Sequence, residues 1–193
     1  MLKKLGKYFW GNKSLIFLIL IGTITWSLTM VKSGLCWNAK CTAGFGFWGA
    51  NGHDGVWHIA LAESLSQGSQ RMPVFAGSVL QNYHLGFDLA LAIIGKITDF
   101  PVHVLYFQII PPLLALLIGI LTCWFTLNWT KSRRSAFWAV FFIYFGGSFA
   151  WILGKGESAF WSQQAISTLI NPPFALSLIF ILLGLICLQK RKD

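Results

Sequence analysis

Carboxylates are what this sequence has least of. Six Asp and Glu residues stand among 193, and charged residues of both signs reach only 11%, where soluble domains run near about a quarter. A chain so short of charge cannot present a polar surface to water on all sides, which excludes an ordinary soluble domain. Cysteine is also sparse. Cys36 and Cys41 form a C-x4-C pair with neither a second Cys pair nor a correctly spaced His pair, so the pair is weak evidence for a zinc site. No H-E-x-x-H run and no internal repeat is present. What fills the chain instead is apolar: 55% hydrophobic residues, 17 Phe and 10 Trp, with a mean hydropathy of +0.63.

The formal charge of +9 would suit a nucleic-acid binder, but its distribution points elsewhere. Lys3, Lys4, Lys7 and Lys13 precede an apolar run. Lys131, Arg133 and Arg134 separate two runs, and Lys190, Arg191 and Lys192 follow the last. Basic clusters between apolar runs are the positive-inside pattern of a multi-pass membrane protein rather than a binding stripe. No nucleic-acid partner is expected.

The expected fold class is therefore an all-α integral membrane protein, read as one membrane domain over residues 1–193. A spanning helix needs roughly 20 apolar residues. Residues 14–31, 104–127, 135–153 and 172–188 meet or approach that length, giving about four transmembrane helices. The first run, SLIFLILIGTITWSLTMV, has no small-x-small cleavage site after it and reads as an uncleaved span. A fifth segment, HLGFDLALAIIGKI (84–97), is shorter and carries His84 and Asp88. If it spanned, two of the three basic clusters would fall outside. If it lies on the outer face, all three are cytoplasmic, as charge bias requires. The second arrangement is adopted, with both termini cytoplasmic, a long outer loop over 32–103 and a second outer loop over 154–171.

Within the long loop, GLCWNAKCTAGFGFWGANG (34–52) reads as irregular chain at the interface. An extracytoplasmic position would favour a disulfide between Cys36 and Cys41. Cys123 and Cys187 lie inside apolar runs and read as packing residues. From Asp54 onward, DGVWHIALAESLSQG predicts a helix over about 55–67 with Asp54 as its N-cap. RMPVFAGSVLQNY reads as turn and extended chain, and a second helix over about 84–98 is closed by Pro101. Two short juxtamembrane helices lying along the membrane surface fit this mixture of apolar and polar residues. Pro111 and Pro112 fall within the second span and predict a kink there.

The chemistry-bearing residues gather in these segments. Asp54 and His58 are four apart and share a helix face; His84 and Asp88 repeat the spacing in reverse order. Side-by-side packing of the two helices would join them into one cluster, with His53 and Asn82 nearby. A carboxylate in such a cluster can serve as general base toward a hydroxyl or amine. The plainer readings are that Asp54 only caps its helix and that His84 and Asp88 are a local pair. Glu63 is expected to face water or headgroups, and His103 the interface. An Asp–His pair also leaves open a weakly held divalent ion, although no cofactor is otherwise expected. In the second outer loop Glu157, Trp161, Gln163, Gln164 and Asn171 offer hydrogen bonds and a ring to a sugar-like ligand, or else form an interfacial belt.

The order HDGVWHIALAESL, MPVFAGSVLQNYHLGFDLALA, GESAFW resembles the N-terminal part of the GT-C superfamily of membrane glycosyltransferases. That class depends on polyprenyl-phosphate sugars and includes the dolichyl-phosphate-mannose-protein mannosyltransferases. The resemblance implies transfer from such a donor to an acceptor on the outer face of the cell membrane. It makes Asp54 the candidate base, Glu157 a second-loop acid and His84 a neighbour of the lipid phosphate, with His53, His58, Asn82, Asp88, Trp161 and Gln164 as substrate-binding candidates. Here the first-loop acid stands alone between His53 and Gly55, without the adjacent carboxylate some relatives carry. Family members have many more spans, so the resemblance implies an N-terminal module completed by a C-terminal part or a partner subunit. The alternative is a non-enzymatic membrane scaffold or subunit that binds a lipid or partner through its outer loop. A transporter is disfavoured, because no expected span carries a conspicuous buried charge; Asp88 is the only candidate, and it lies in the short 84–97 segment.

Overall fold

The computed structural model describes residues 12–36, 42, 44–47, 49–75, 77–146 and 162–190. The chain is mostly helical with few strands. It divides into two compact units: Met1–Thr29, Pro112–Leu169 and Phe174–Asp193 in the first, Met30–Pro111 and Ile170–Pro173 in the second.

Helix α1 (Lys13–Ser27) opens at Asn12, whose side chain accepts from the Leu15 N–H, an N-cap bond that satisfies one of the orphan donors of the first turn. Helix α4 runs from Val102 to Thr130 and is apolar enough to cross a membrane. Helix α5 (Arg133–Phe145) is capped by Ser132, which accepts from the Ser135 N–H. Helices α6 (Ser162–Leu169) and α7 (Pro172–Lys190) follow. Pro172 and Pro173 open α7 at positions where the missing N–H is unpaired in any case.

Two helices, Val102–Thr130 and Pro172–Gln189, have spanning length and composition, and α1 is a shorter apolar helix. Four spans are not found among the described residues. The expected span over 14–31 stops being helical at Ser27, and the chain goes through turns to Gly34. The expected span over 135–153 leaves helical geometry at Gly146, which is extended (φ −68°, ψ 130°). Gly146 and Gly147 adjoin in the sequence, and glycine loses most by being held in a helix. Residues 147–161 lie outside the described set.

The first unit is organised around Tyr144. Its Oη–H donates to the Ala115 carbonyl at 2.8 Å, which leaves the Thr23 hydroxyl to donate to Tyr144 Oη at 3.3 Å. The Trp26 indole N–H donates to the Tyr144 carbonyl at 2.9 Å, and the two rings meet edge to face. A methyl group at Gly22 or Gly119 would overlap the Tyr144 ring. These two glycines are what let helices α1 and α4 close on a buried tyrosine whose polar atom is fully used.

In the second unit β1 (Leu35–Cys36) pairs antiparallel with β2 (Phe45–Gly46), Leu35 opposite Gly46 and Cys36 opposite Phe45. This small ladder replaces the expected irregular chain. Cys36 is disulfide-bonded, Cys123 and Cys187 are free, and Cys41 lies outside the described residues. A short 3-10 turn (Gly49–Gly52) leads into α2 (Asp54–Ser66). An isolated bridge between Arg71 and Val79 folds the next segment back. Helix α3 (Gly86–Thr98) ends at Asp99, which takes a left-handed conformation (φ 58°) before Pro101 starts α4. Leu105–Ile109 forms a π-helical turn within α4, closed by the Ile110 N–H on the Leu105 carbonyl. Pro111 and Pro112 have no N–H for the carbonyls four residues earlier and crowd them, and a widened turn relieves that crowding.

Candidate functional site

Helices α2 and α3 lie side by side, the arrangement on which a joint cluster of their polar residues depended. His58 of α2 reaches Asp88 of α3: the imidazole Nδ1–H donates to Asp88 Oδ1 at 2.7 Å, with side chains 4% and 0% exposed. His58 stacks on Tyr106 (5.7 Å between centroids) and meets Phe87 edge to face. Asp88 Oδ2 is buried and has no hydrogen-bond partner among the described residues. A carboxylate in that position is held by its one imidazole partner and by its place in the first turn of α3, where helix N–H groups favour negative charge.

Asp54 is placed differently. It is the first residue of α2, not its cap; His53 takes the cap position and makes no side-chain cap bond. The Asp54 carboxylate instead accepts from His53 Nδ1 at 2.8 Å, with the side chains 44% and 92% exposed for Asp54 and His53. The expected pairs within each helix are thus both replaced. His58 turns to Asp88 across the helix interface, Asp54 turns to its own neighbour, and His84 stacks on Tyr83 at 4.4 Å. An i,i+4 pair is only about 0.2–0.5 kcal/mol of local preference, and burial of His58 against α3 outweighs it.

The glycine of the His-Asp-Gly run has its own reason. A Cβ on Gly55 would run into the Phe107 ring and press on Tyr106. Its absence lets the first turn of α2 sit directly on α4. At the same level Gln108 donates to the carbonyls of Val31 and Ser33, and Asn51 donates to Ser33. These bonds hold the segments flanking the site.

Sequence reasoning missed two residues beside Asp54. The Trp57 indole N–H donates to Tyr83 Oη at 2.8 Å, and the rings meet edge to face at 5.6 Å. Asp54 and Trp57 are three apart on one helix, so the near half of this contact was visible; the link to Tyr83 was not. Burial pushes the Tyr83 hydroxyl above its ordinary value. The Trp57 hydrogen bond opposes that rise, while the charges of Asp88 and Asp54 add to it. Tyr83 is therefore a neutral hydroxyl at physiological pH, close enough to both carboxylates to feel their charge. Asn82, just before it, sits in a left-handed conformation (φ 54°) that asparagine tolerates better than most residues.

Glu63 lines a groove with Ser66, Lys96 and Asp99, about 390 Å³ in volume, away from the His58–Asp88 pair. His103 packs against Phe45. Glu157 and Trp161 lie outside the described residues, as do the side chains of Gln163 and Gln164. Among the described residues no three His, Cys, Asp or Glu side chains converge as a metal-binding group. No protein-family model, curated protein or solved structure matches the chain.

Proposed function

We propose that the chain is a membrane-embedded glycosyl-transfer module that uses a polyprenyl-phosphate-linked sugar, with Asp54 as general base. The observation that carries this reading is the contrast between two carboxylates on packed helices. Asp88 is sealed against His58, whereas Asp54 is nearly half exposed and, among the described residues, is paired with an exposed histidine. The first fixes the helices; the second can meet a substrate. In the reaction the acceptor hydroxyl gives its proton to Asp54 as its oxygen bonds to the anomeric carbon. The anomeric carbon–oxygen bond to phosphate breaks, and the polyprenyl phosphate leaves with the electron pair. His84, exposed beside Tyr83, is the nearby imidazole for the lipid phosphate.

Two helices of spanning length support association with a membrane. The reading of about four passes, with both termini cytoplasmic and α2 and α3 on the outer face, rests on the apolar runs and the three basic clusters of the sequence. Glu157, Trp161 and Gln164 are the second-loop candidates in this reading, and a further part of the enzyme or a partner subunit would complete the donor groove.

A second reading, a non-enzymatic membrane subunit, draws support from the apolar exposure of α3, where Ile93, Ile97 and the following Phe100 are 50%, 76% and 49% exposed. Lipid or a partner chain would cover such a face. Transfer assays on the full chain in proteoliposomes, supplied with polyprenyl-phosphate sugars, separate the two. The enzyme reading expects Asp54→Asn to lower transfer by about 10²–10⁴-fold with normal insertion. Equal transfer by the variant refutes Asp54 as base, and no transfer by either form, including in native membranes that would supply a completing part or partner, favours the subunit.

A further inference from the structure

Beside Asp54 three rings follow one another across two chain segments: Trp57 meets Tyr83 edge to face at 5.6 Å, and Tyr83 stacks on His84 at 4.4 Å with 20° between planes. Trp57 and Tyr83 are half-buried and His84 is exposed, so part of this row faces outward. The row is built rather than incidental. The Trp57 N–H donates to Tyr83 Oη, which fixes both rings, and left-handed Asn82 sets the course of the chain into the Tyr83–His84 step. A fixed aromatic surface is well suited to the flat, C–H-bearing face of a sugar ring, because the negative π face attracts polarised C–H groups and little side-chain entropy is lost. Sugars also need hydroxyl partners at the edge of such a surface. Asp54 is an exposed acceptor one helical turn from Trp57. Tyr83, having accepted from Trp57, keeps its own O–H to donate, and the exposed Asn82 amide offers both functions.

We propose that Trp57, Tyr83 and His84 form a shelf for a pyranose ring, with Asp54 and Asn82 reading its hydroxyls. The sugar lies on the outer face of the exposed His84, while Tyr83, stacked beneath it, and Trp57, edge-on to Tyr83, fix the imidazole from behind. The assignment deepens the glycosyl-transfer reading and rests on it for the role of the bound sugar, while the shelf itself rests on the ring geometry. The pyranose belongs either to the lipid-linked donor or to a sugar acceptor; the chemistry of recognition is the same.

The test uses the full chain in nanodiscs and saturation-transfer NMR, with methyl glucopyranoside, methyl galactopyranoside and methyl mannopyranoside as free sugars. A short-chain polyprenyl phosphate with and without an attached hexose supplies the donor arm. Wild type should bind a pyranoside or the lipid-linked hexose, and Trp57→Ala and His84→Ala should each weaken that binding about tenfold, the loss of one good contact. His84 is exposed, so His84→Ala keeps the fold even if Trp57→Ala does not. Trp129→Phe, at a site 70% exposed in α4, should leave binding unchanged. Preference for the free pyranoside marks an acceptor site, and preference for the lipid-linked hexose over the bare lipid phosphate marks a donor site. The shelf is overturned if wild type binds none of these sugars, if His84→Ala binds as wild type does, or if the variants alter only attachment to lipid. Asp54→Asn separates the two claims. Lost transfer with shelf variants unchanged in binding and KM leaves the base and removes the shelf. Retained transfer with shelf variants defective in binding leaves the shelf and removes the base.

Discussion

Removing the imidazole of His58 should be among the most destabilising single changes in the second unit. Asp88 is 0% exposed, its Oδ1 has the His58 N–H at 2.7 Å, and its Oδ2 has no hydrogen-bond partner among the described residues. His58→Ala therefore leaves a buried carboxylate without its only side-chain hydrogen bond, a loss of about 3–5 kcal/mol in comparable buried pairs. The ring contacts to Tyr106 and Phe87 go with it. Asp88→Asn keeps shape and an acceptor for Nδ1–H but loses the charge, so its effect should be smaller, about 1–3 kcal/mol. Replacing both partners by apolar residues, His58→Phe with Asp88→Leu, removes the stranded polar atoms altogether and should cost less than the sum of the single changes. The assay is denaturant or thermal unfolding of the full chain in detergent, followed by near-ultraviolet circular dichroism, whose signal includes the neighbouring Trp57 and Tyr83. Single variants within about 0.5 kcal/mol of wild type, the range of ordinary surface changes, would refute the idea that this pair locks α2 to α3.

Further outcomes follow from other contacts. Gly119→Ala and Gly22→Ala press a methyl into the Tyr144 ring and should destabilise the first unit by about 1–3 kcal/mol, typical of overpacking; unfolding midpoints check this. Tyr83 has a raised hydroxyl pKa in the folded chain, so the unfolded chain releases that proton first. Stability from this group is complete below the ordinary tyrosine value of about 10 and declines as pH rises through the folded value. Tyr83→Phe should accordingly make alkaline unfolding less steep, and an unchanged slope would count against the buried hydroxyl. Ser132→Cys, with Cys123 and Cys187 replaced by Ala, should resist an impermeant maleimide added outside intact cells. Labelling from outside would show that the 84–97 segment spans and would reverse the proposed topology.

Much of the helical layout was legible because it depends on local covalent and solvent properties. Apolar runs, Gly68 after α2, Pro101 after α3 and the double prolines at Pro172 mark boundaries wherever the chain goes. The expected helices over 55–67 and 84–98 appear as Asp54–Ser66 and Gly86–Thr98. Helix length was less legible. Residues 14–31 and 135–153 are predominantly apolar, yet the helices end at Ser27 and Phe145; the Gly146–Gly147 pair was a local signal for the second end, whereas composition marks no end at Ser27.

The sequence by itself determined which residues had chemistry to offer: a chain with six acids points to Asp54 and Asp88 by scarcity alone, and i,i+4 spacing follows from helix geometry. Tertiary structure decided their partners. His58 bonds to Asp88, 30 residues away, and Trp57 to Tyr83, 26 residues away. Neither pairing is encoded in local spacing; both follow from how α2 settles against α3 and α4, which Gly55 permits by leaving room for Phe107. Burial then separates two similar carboxylates. Local sequence places both in the first turn of a helix, and only the packed structure seals Asp88 while leaving Asp54 within reach of solvent.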